Sequence, residues 1–233
     1  MSLKTLILLR HAESLRNVVE TGLFYKDHRE RDKVGLMQDP FVPLTEKGRQ
    51  QACETGKALK KNYGVLDYVF YSPYIRAEDT MKGILGVYSP EEFKLISIKD
   101  ELLIRERDSG YCHNMIEAEI RQNFPWFLEY WYWTSVLERV PVGGESILQI
   151  AEGRLSLFLK KVRELPCELG PVKIMAVSHG RAILGLRYLL EGWDYTRATY
   201  EIERNNPPNA SVTVYTLDCF GDAKLEFANR VFY

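Results

Sequence analysis

Two of the four histidines in this 233-residue chain directly follow apolar segments that are predicted to be β-strands. His11 follows residues 6–9 and Arg10, and His179 follows residues 174–177 after a single serine. In open parallel sheets, ligands bind in the crevice beyond the carboxyl ends of the strands. Both imidazoles are therefore candidates for one site at the same edge of a sheet.

A third apolar segment, residues 68–71, ends in Ser72-Pro73 and is followed by Arg76 at the start of a predicted helix. If the three strands are neighbours, the two imidazoles converge with the guanidinium groups of Arg10 and Arg76. So much positive charge would repel itself unless an anion neutralised it, and the fork of arginine fits phosphate best. The pattern predicts a phosphate site that contains a histidine nucleophile.

The composition is that of an ordinary globular protein, with 45% hydrophobic and 27% charged residues. The formal net charge of −1 gives no electrostatic reason to expect binding to nucleic acid or to an anionic membrane. The apolar run near the N-terminus is too short for a signal peptide or a membrane span. We therefore expect a soluble, cytoplasmic protein.

The cysteines lie far apart and show none of the C-x-x-C spacing that is typical of zinc sites. A zinc site is therefore not expected, and free thiols are the better interpretation in a chain without a secretory signal. These residues are Cys53, Cys112, Cys167 and Cys219.

Strands alternate with helices along the chain, which favours an α/β sheet covered on both faces. Strands are predicted at 4–10, 67–71, 93–98 and 172–177, and an antiparallel hairpin at 211–217 and 224–231. Helices are predicted at 12–19, 46–62, 76–85, 115–140, 146–164 and 181–190. We expect one domain over residues 1–233, a three-layer αβα sandwich whose mostly parallel sheet has an antiparallel edge strand.

Two segments stand apart from this alternation. Residues 21–39 are rich in charge and lack apolar periodicity, which predicts an exposed loop or flap. Residues 115–140 have a helical pattern with an unusual number of aromatic side chains, and form a predicted cover. This cover could be a lid that faces the substrate, a buried core or a dimer interface. A homodimer is therefore one of the predictions.

Several short motifs point to one family. Residues 9–17 resemble the Arg-His-Gly-Glu-Ser-x-x-Asn signature of the histidine phosphatase (phosphoglycerate mutase-like) superfamily. Further blocks resemble that family in the same order: residues 43–48, 71–80, 105–110, 144–146 and 177–180. Each block alone is weak evidence, but together they extend over nearly the whole chain. The chain is identified as a member of this family.

The resemblance implies a metal-independent phosphomonoester hydrolase that needs no cofactor and acts on a small phosphate ester or another phosphorylated substrate. His11 would attack phosphorus and form a phosphohistidine. Glu106 would protonate the leaving group and then activate water. The groups that hold the phosphate would be Arg10, Asn17, Arg76 and His179, of which His179 also counts as catalytic.

Glu106 has competitors for the role of the acid. Glu101 and Asp108 lie near it in sequence, and Arg105 and Arg107 could make this segment a solvated run of charges. The glycine four positions after Glu106 matches the family block and favours Glu106. The remaining candidates are interpreted as structural or exposed: Glu13, His28, His113, Glu145 and Ser146.

Departures from the family pattern bear on the activity. Ala12 replaces the usual glycine beside the nucleophile, which is tolerated unless the backbone needs a positive φ. Residues 121–140 lack the Arg-Arg pair and the Asp-x-Pro-Pro pattern that grip the substrate carboxylate in the glycerate mutases. Hydrolysis is therefore favoured over cofactor-dependent phosphoglycerate mutase activity. A non-catalytic scaffold is the third interpretation, and the presence of His11, Arg76 and His179 argues against it.

Overall fold

The computed structural model describes residues 3–19, 24–35, 37–166, 170–218 and 221–233. The strands in these residues are β1 (Lys4–Arg10), β2 (Tyr68–Tyr71), β3 (Ser97–Asp100), β4 (Val172–Ser178), β5 (Val212–Leu217) and β6 (Ala223–Arg230). They form one sheet in the order β3-β2-β4-β1-β5-β6. The first four strands in this order are parallel, and β5 is antiparallel to both β1 and β6. The predicted hairpin at one edge is confirmed.

The helices follow the strands as an α/β fold requires. They are α1 (Leu15–Val18), α2 (His28–Val34), α3 (Glu46–Tyr63), α4 (Ile75–Leu85), α5 (Pro90–Phe93), α6 (Glu117–Asn123), α7 (Phe127–Trp133), α8 (Ile147–Ile150), α9 (Ser156–Arg163), α10 (Gly180–Glu191) and α11 (Tyr195–Arg204). Short 3₁₀ turns lie at Asp39–Phe41, Leu102–Ile104 and Gly110–Asn114.

Alternate residues of the central strand β1 pack on opposite faces of the sheet, as the period of two in a strand dictates. Leu6 and Leu8 belong to a core cluster that includes residues of α9 and α10. Ile7 and Leu9 belong to a second cluster with residues of α3 and α4. All four side chains are fully buried. This arrangement confirms the three-layer α/β sandwich.

The register of the sheet aligns the carboxyl ends of three strands. In the parallel pairing, Arg10 of β1 lies opposite Ser178 of β4, and Val177 lies opposite Tyr71 of β2. The backbone N–H of His11 donates to the Ser178 carbonyl at 2.8 Å. The residues that follow these strands therefore meet at one edge of the sheet.

Several predicted elements differ from the structure. The predicted strand at 93–98 is wrong for most of its length, because Phe93 ends α5 and β3 begins only at Ser97. A capping box between Ser89 and Glu92, with Pro90 at the first helical position, favours a helical turn here over a strand. The helix α11 was not predicted.

Three other helices were predicted too long. The helix predicted at 12–19 is only α1, because the N-cap residue Ser14 has an extended backbone (φ −108°, ψ 165°) and the helix begins at Leu15. The cover at 115–140 contains two short helices, α6 and α7, and an irregular segment follows Trp133. The helix predicted at 146–164 is α8 and α9 joined by a π turn with a kink at Gly153.

The predicted exposed loop at 21–39 is wrong for its central part. Helix α2 begins after an N-cap at Asp27, and Val34 at its end is buried. Tyr25 is fully buried as well and lies in a small cluster with Val19 and Ile116. Residues 21–23 and 36 of this segment lie outside the described residues.

Two of the predicted free thiols are present as such, at Cys53 and Cys112. The same prediction for Cys167 and Cys219 falls outside the described residues. Among the helices that the structure describes, none combines the length and the apolar character needed to cross a membrane. The single-domain interpretation of residues 1–233 stays a prediction.

Candidate active site

The aligned strand ends bring two imidazoles together. His11 follows β1 and His179 follows β4, and their ring centroids are 5.1 Å apart. A cavity of about 500 Å³ opens at this edge of the sheet, and His11 is part of its wall. A cavity of this size accepts a small metabolite. His179 does not line the cavity but lies fully buried behind it.

His11 has the protonation that a nucleophile requires. Its Nδ1 lies 2.7 Å from the Ala12 carbonyl oxygen, and because a carbonyl only accepts, Nδ1 carries the proton. Burial lowers the pKa of His11 well below its usual value, and the charges of Arg76 and Arg10 lower it further. The ring is therefore neutral, and its Nε2 lone pair is available for attack on an electrophile.

His179 is a neutral partner held from the neighbouring strand. Its Nε2 forms a 2.7 Å hydrogen bond with Ser72 Oγ, and its buried Nδ1 has no partner among the described residues. Burial lowers the pKa of His179 well below its usual value, and Arg76 and His11 add to this effect. The ring of Tyr74 packs against it with the centroids 5.0 Å apart.

Arg10 and Arg76 both line the cavity beside His11. Arg10 Nη1 donates to the Pro207 carbonyl at 2.5 Å, while its buried Nε has no partner in the described part of the chain. Burial lowers the pKa of Arg10 to about 10, a shift that the charge of Glu106 opposes and that of Arg76 supports. Arg10 stays charged at neutral pH, so it offers a free donor to an anion.

Arg76 is engaged by a carboxylate that was not predicted as part of the site. Its Nη1 donates to the Asp39 carbonyl at 2.6 Å and its Nη2 to Asp39 Oδ2 at 3.2 Å. Burial alone would raise the pKa of Asp39, but Arg76, His113 and Arg16 together hold it below its usual value. The guanidinium of Arg76, which is expected to bind phosphate, is therefore already paired with an anion, the Asp39 carboxylate.

Asn17 contributes one free amide group. Its Oδ1 accepts from the Ser14 backbone N–H at 3.1 Å, from Ser14 Oγ at 2.8 Å and from Asn209 Nδ2 at 3.0 Å. With the oxygen fixed in this way, Nδ2 has no partner among the described residues, and Asn17 lines the cavity. The residue can therefore donate a hydrogen bond to a bound oxyanion.

Glu106 lies at the N-terminus of α10. Its Oε1 accepts from the backbone N–H groups of Arg107 at 2.8 Å and Ala182 at 3.2 Å, and its Oε2 accepts from Arg181 N–H at 3.4 Å. Glu106 lines the same cavity as His11. The carboxyl group is thus held in a fixed position on the cavity wall.

The loop that carries Glu106 is held by Glu145. The Glu145 carboxylate contacts Arg105 at 2.7 Å and Arg154 at 3.3 Å, and accepts from the Asp108 N–H at 3.0 Å. Gly110 has φ +55°, and a Cβ there would meet the Val142 carbonyl oxygen at 2.1 Å. The glycine of this block therefore allows the loop to pack against the segment that leads to α8.

The competitors of Glu106 lie elsewhere. Glu101 is buried and forms an ion pair with Lys161, and it does not line the cavity. Asp108 is exposed, and its Oδ1 accepts from the Gly110 N–H at 2.8 Å. Of these three carboxylates, only Glu106 belongs to the cavity wall.

A sequence model of the histidine phosphatase superfamily (branch 1) matches residues 6–229. The chain belongs to this superfamily. It is 28% identical over 192 residues to the 2,3-bisphosphoglycerate-dependent phosphoglycerate mutase of Nitrobacter hamburgensis, which covers 82% of this chain and 83% of the relative. It is also 28% identical to the phosphoglycerate mutase-like protein AT74H of Arabidopsis thaliana, over 94% of this chain and 76% of the relative.

Solved structures of similar proteins share the fold. Bacillus stearothermophilus YhfR matches with a TM-score of 0.73 at 25% identity, over 98% of each chain. A mycobacterial glucosyl-3-phosphoglycerate phosphatase in complex with inorganic phosphate matches with a TM-score of 0.69 at 23% identity, over 97% of each chain. Both mutases and phosphatases thus occur among the proteins that this histidine phosphatase superfamily member resembles.

Sequence reasoning missed a second group of cations in the site. Arg16, Arg107, Arg139 and Arg181 line the cavity in addition to the two predicted arginines. Arg16 and Arg107 lie within the family blocks at 9–17 and 105–110, and Arg181 directly follows the block at 177–180, so their positions could have been inferred from the motifs. Arg139 lies in the irregular segment after α7, and no signal in the sequence placed it at the site.

His113 was expected to be exposed, and this expectation is wrong. It is partly buried and lines the cavity, and its Nε2 lies 3.5 Å from Arg16 Nη1. Burial and the charge of Arg16 lower the pKa of His113 to about 4, against the opposing effect of Asp39. His113 is therefore neutral. Its carbonyl accepts from Arg16 at 3.1 Å, so this segment positions Arg16 on the wall.

The aromatic cover serves more than one purpose. Phe127 and Leu128 are buried in a local cluster, Trp131 lines the cavity, and Trp133 is 85% exposed. Different side chains of α7 thus face a core, the site and the solvent. The remaining structural interpretations agree with the contacts: Glu13 binds Thr45 and Lys47, and Ser146 caps α8.

Proposed function

We propose that this chain is a phosphomonoester hydrolase that acts through a phosphohistidine on His11. The observation that carries the proposal is the neutral His11 ring, with Nδ1 bonded to the Ala12 carbonyl, in a cavity lined by arginines. Since positioning and charge stabilisation dominate phosphoryl transfer, fixed guanidinium groups around a neutral nucleophile suit this reaction. A cytoplasmic location and a homodimer are further parts of the proposal.

In the first step, His11 Nε2 attacks phosphorus and the bond from phosphorus to the ester oxygen breaks. Arg10, Arg76 and Asn17 donate to the phosphoryl oxygens, where negative charge is spread in the transition state. Protonated Glu106 gives its proton to the leaving oxygen, so that an alcohol departs. The products of this step are the alcohol, a phosphohistidine and the Glu106 carboxylate.

In the second step, water attacks the phosphohistidine and its proton passes to the Glu106 carboxylate. The bond between phosphorus and Nε2 breaks, inorganic phosphate leaves, and His11 returns to its neutral form. The Ala12 carbonyl holds Nδ1–H throughout. Its hydrogen bond also stabilises the positive charge that develops on the ring during attack.

Phosphoglycerate mutase activity is the second candidate, and the relatives named as such mutases favour it. A mutase must keep its phosphoenzyme from water and return the phosphoryl group to a bound acid. Residues 121–140 lack the Arg-Arg and Asp-x-Pro-Pro pattern that grips that acid in the mutases. We therefore place hydrolysis first.

The test is release of phosphate from a panel of phosphate esters, with and without EDTA. We expect turnover of several esters that is insensitive to the chelator. In parallel, 3-phosphoglycerate with 2,3-bisphosphoglycerate should yield little 2-phosphoglycerate. Efficient isomerisation would overturn the hydrolase assignment, and recovery of activity only with added Mg²⁺ would overturn the metal-independent mechanism.

A further inference from the structure

The loop before β5, residues 205–211, places one side-chain amide between the nucleophile and the phosphate site. Asn209 Nδ2 donates to the His11 carbonyl at 3.2 Å and to Asn17 Oδ1 at 3.0 Å. The two hydrogens of this NH2 group thus bind two residues of the site that have different roles. Asn209 itself does not line the cavity. It can therefore act on a bound phosphate only through the groups that it holds.

The orientation of both amides follows from the His11 carbonyl. A carbonyl oxygen only accepts hydrogen bonds, so the NH2 group of Asn209, and not its oxygen, faces His11. The atom of Asn17 that faces the same NH2 group must then be Oδ1. The backbone N–H of Ser14, at 3.1 Å from Oδ1, requires the same orientation. Asn17 therefore keeps Nδ2 available for an oxyanion in the cavity that it lines.

Without Asn209, the orientation of the Asn17 amide would be less well determined. The Ser14 hydroxyl lies 2.8 Å from Asn17 Oδ1. A hydroxyl can donate or accept, so it would tolerate either end of the amide. Only the Ser14 backbone N–H would still distinguish the two ends. Asn209 is thus the second donor that cannot change its role, because the His11 carbonyl fixes its NH2 group.

The backbone of the loop is strained where it meets His11. Ala210 has φ +51°, which residues with a side chain rarely adopt, and it is fully buried. Its N–H donates to the His11 carbonyl at 3.2 Å, so this carbonyl accepts from two consecutive residues of the loop. Non-glycine residues in such conformations cluster at functional sites. The strain therefore favours a functional reason for holding Asn209 against His11.

Three further contacts hold the backbone around Asn209. Arg10 Nη1 donates to the Pro207 carbonyl at 2.5 Å, and the Arg10 N–H donates to the Ser211 carbonyl at 3.1 Å. The Tyr233 hydroxyl donates to the carbonyl of Asn209 itself at 2.9 Å. The side chain of Asn209 therefore extends from a backbone that is held on both sides.

We propose that Asn209 is a positioning residue, which orients the amide of Asn17 so that Nδ2 donates to the phosphoryl group that His11 attacks. This inference rests on the proposed function, since it takes the phosphoryl group to lie beside His11. Because Asn209 also binds the His11 carbonyl, the donor and the nucleophile are held relative to each other before substrate binds. Loss of the Asn209 amide should leave His11 in place, since the Ala210 N–H still binds its carbonyl, and should act through Asn17.

The experiment is a double-mutant cycle on the binding of inorganic phosphate, measured by calorimetry. Asn17→Ala should weaken binding by about 10- to 100-fold, the contribution of a hydrogen bond to a charged group. Asn209→Ala should weaken it by roughly five- to tenfold, because part of that contribution is lost. In the Asn17→Ala background, Asn209→Ala should change the affinity by less than about twofold, since no amide is left to orient.

A second variant separates orientation from packing. Asn209→Asp keeps the size of the side chain but cannot donate as a carboxylate, so it should bind phosphate at least as weakly as Asn209→Ala. A role in packing alone would make Asn209→Asp the milder change. Asn205 is the matched control on the same loop, because its Nδ2 donates to Glu201 and it does not line the cavity. Asn205→Ala and Asn205→Asp should each change the phosphate affinity by less than about twofold.

Turnover gives an independent readout of the same role. Asn209→Ala should lower kcat/KM for alkyl phosphates and for p-nitrophenyl phosphate by the same factor, since Asn17 acts on the phosphoryl group. A loss confined to alkyl phosphates, additive losses in the binding cycle, or unchanged phosphate affinity in Asn209→Ala would overturn the role of Asn209 and leave the proposed hydrolysis standing. Absence of phosphate release from every ester would overturn hydrolysis, and the binding cycle would still decide whether Asn209 orients Asn17.

Discussion

The two walls of the cavity are built in different ways. The strand-end wall, with Arg10, His11 and Arg76, is fixed by the register of parallel strands and by buried neighbours. The cover wall, with Trp131 and Arg139, is formed by a short helix and an irregular segment. The first wall is built on the sheet and carries the groups that the proposed reaction needs for any phosphate ester. The second is free to vary without disturbing the sheet, so it can determine which ester fits.

The comparison predicts that a change on the strand-end wall affects all substrates alike. His11→Ala should lower phosphate release by more than about 1,000-fold on every ester, because it removes the nucleophile itself. An acid-labile phosphoenzyme should form on the unchanged protein and be absent from this variant. The matched control is His28→Ala, which removes an exposed histidine on α2 and should keep full activity. Residual turnover well above this limit would mean that another group attacks phosphorus.

Glu106 connects the two walls, and its effect should depend on the leaving group. Glu106→Gln should slow alkyl phosphates by about 100-fold or more, because an alkoxide needs a proton to depart. It should slow p-nitrophenyl phosphate far less, because that leaving group hardly needs one. Asp108→Asn serves as the control, since Asp108 is exposed and outside the cavity. Equal losses on both substrates would assign the proton to a different group.

The difference between the walls also explains what the sequence could predict. His11 and His179 follow apolar runs with a strand pattern, and parallel strands align their carboxyl ends, so their convergence can be inferred from local signals. Arg139 lies outside the helices and strands, in the irregular segment after α7. Its position depends on how α7 packs through Phe127 and on the contacts of its guanidinium with the Trp131 ring and with Glu203, which have no local signature in the sequence. Asp39 was missed for the same reason, since its segment looked like an exposed loop.

The neutral histidines of the strand-end wall should make the fold sensitive to acid. The pKa values of His11 and His179 in the folded protein lie well below the usual 6.5, whereas the unfolded chain takes up these protons near that value. Each histidine's contribution to the free energy of unfolding is therefore fully present above about pH 6.5. As the pH decreases below this value, that contribution is lost by up to about 1.4 kcal/mol per pH unit for each histidine. Urea unfolding between pH 7.5 and 5 measures this slope.

His11→Asn separates this effect from general acid denaturation. The variant lacks one of the three histidines with a lowered pKa, His11, His113 and His179, so its free energy of unfolding should fall with pH less steeply, by about 1.4 kcal/mol per pH unit. His28→Asn should keep the full slope. If His11→Asn and the unchanged protein show the same dependence, then His11 is protonated in the folded state and its role as a neutral nucleophile fails.

The smallest expected effect concerns Asp39, which occupies Arg76 on the strand-end wall. Its carboxylate lies 3.1 Å from Arg76 Nη1, and its lowered pKa keeps it charged at neutral pH. A phosphate that approaches Arg76 must therefore compete with this carboxylate and is repelled by it. Asp39→Asn removes the repulsion and keeps the hydrogen bond from Arg76 to the residue 39 carbonyl. We expect phosphate and orthovanadate to inhibit this variant more tightly, by roughly fivefold, corresponding to about 1 kcal/mol for one ion pair.

Asp79→Asn is the matched control, because Asp79 pairs with Arg49 on the outer side of α4 and does not line the cavity. Its inhibition constants should stay unchanged. If Asp39→Asn weakens inhibition instead, then Asp39 orients Arg76 for the phosphate and does not compete with it. A carboxylate can do so when it binds one edge of a guanidinium and leaves the other edge free. In that case the strand-end wall is already assembled before substrate binds. Tighter inhibition would mean instead that the incoming phosphate has to displace the Asp39 carboxylate from Arg76.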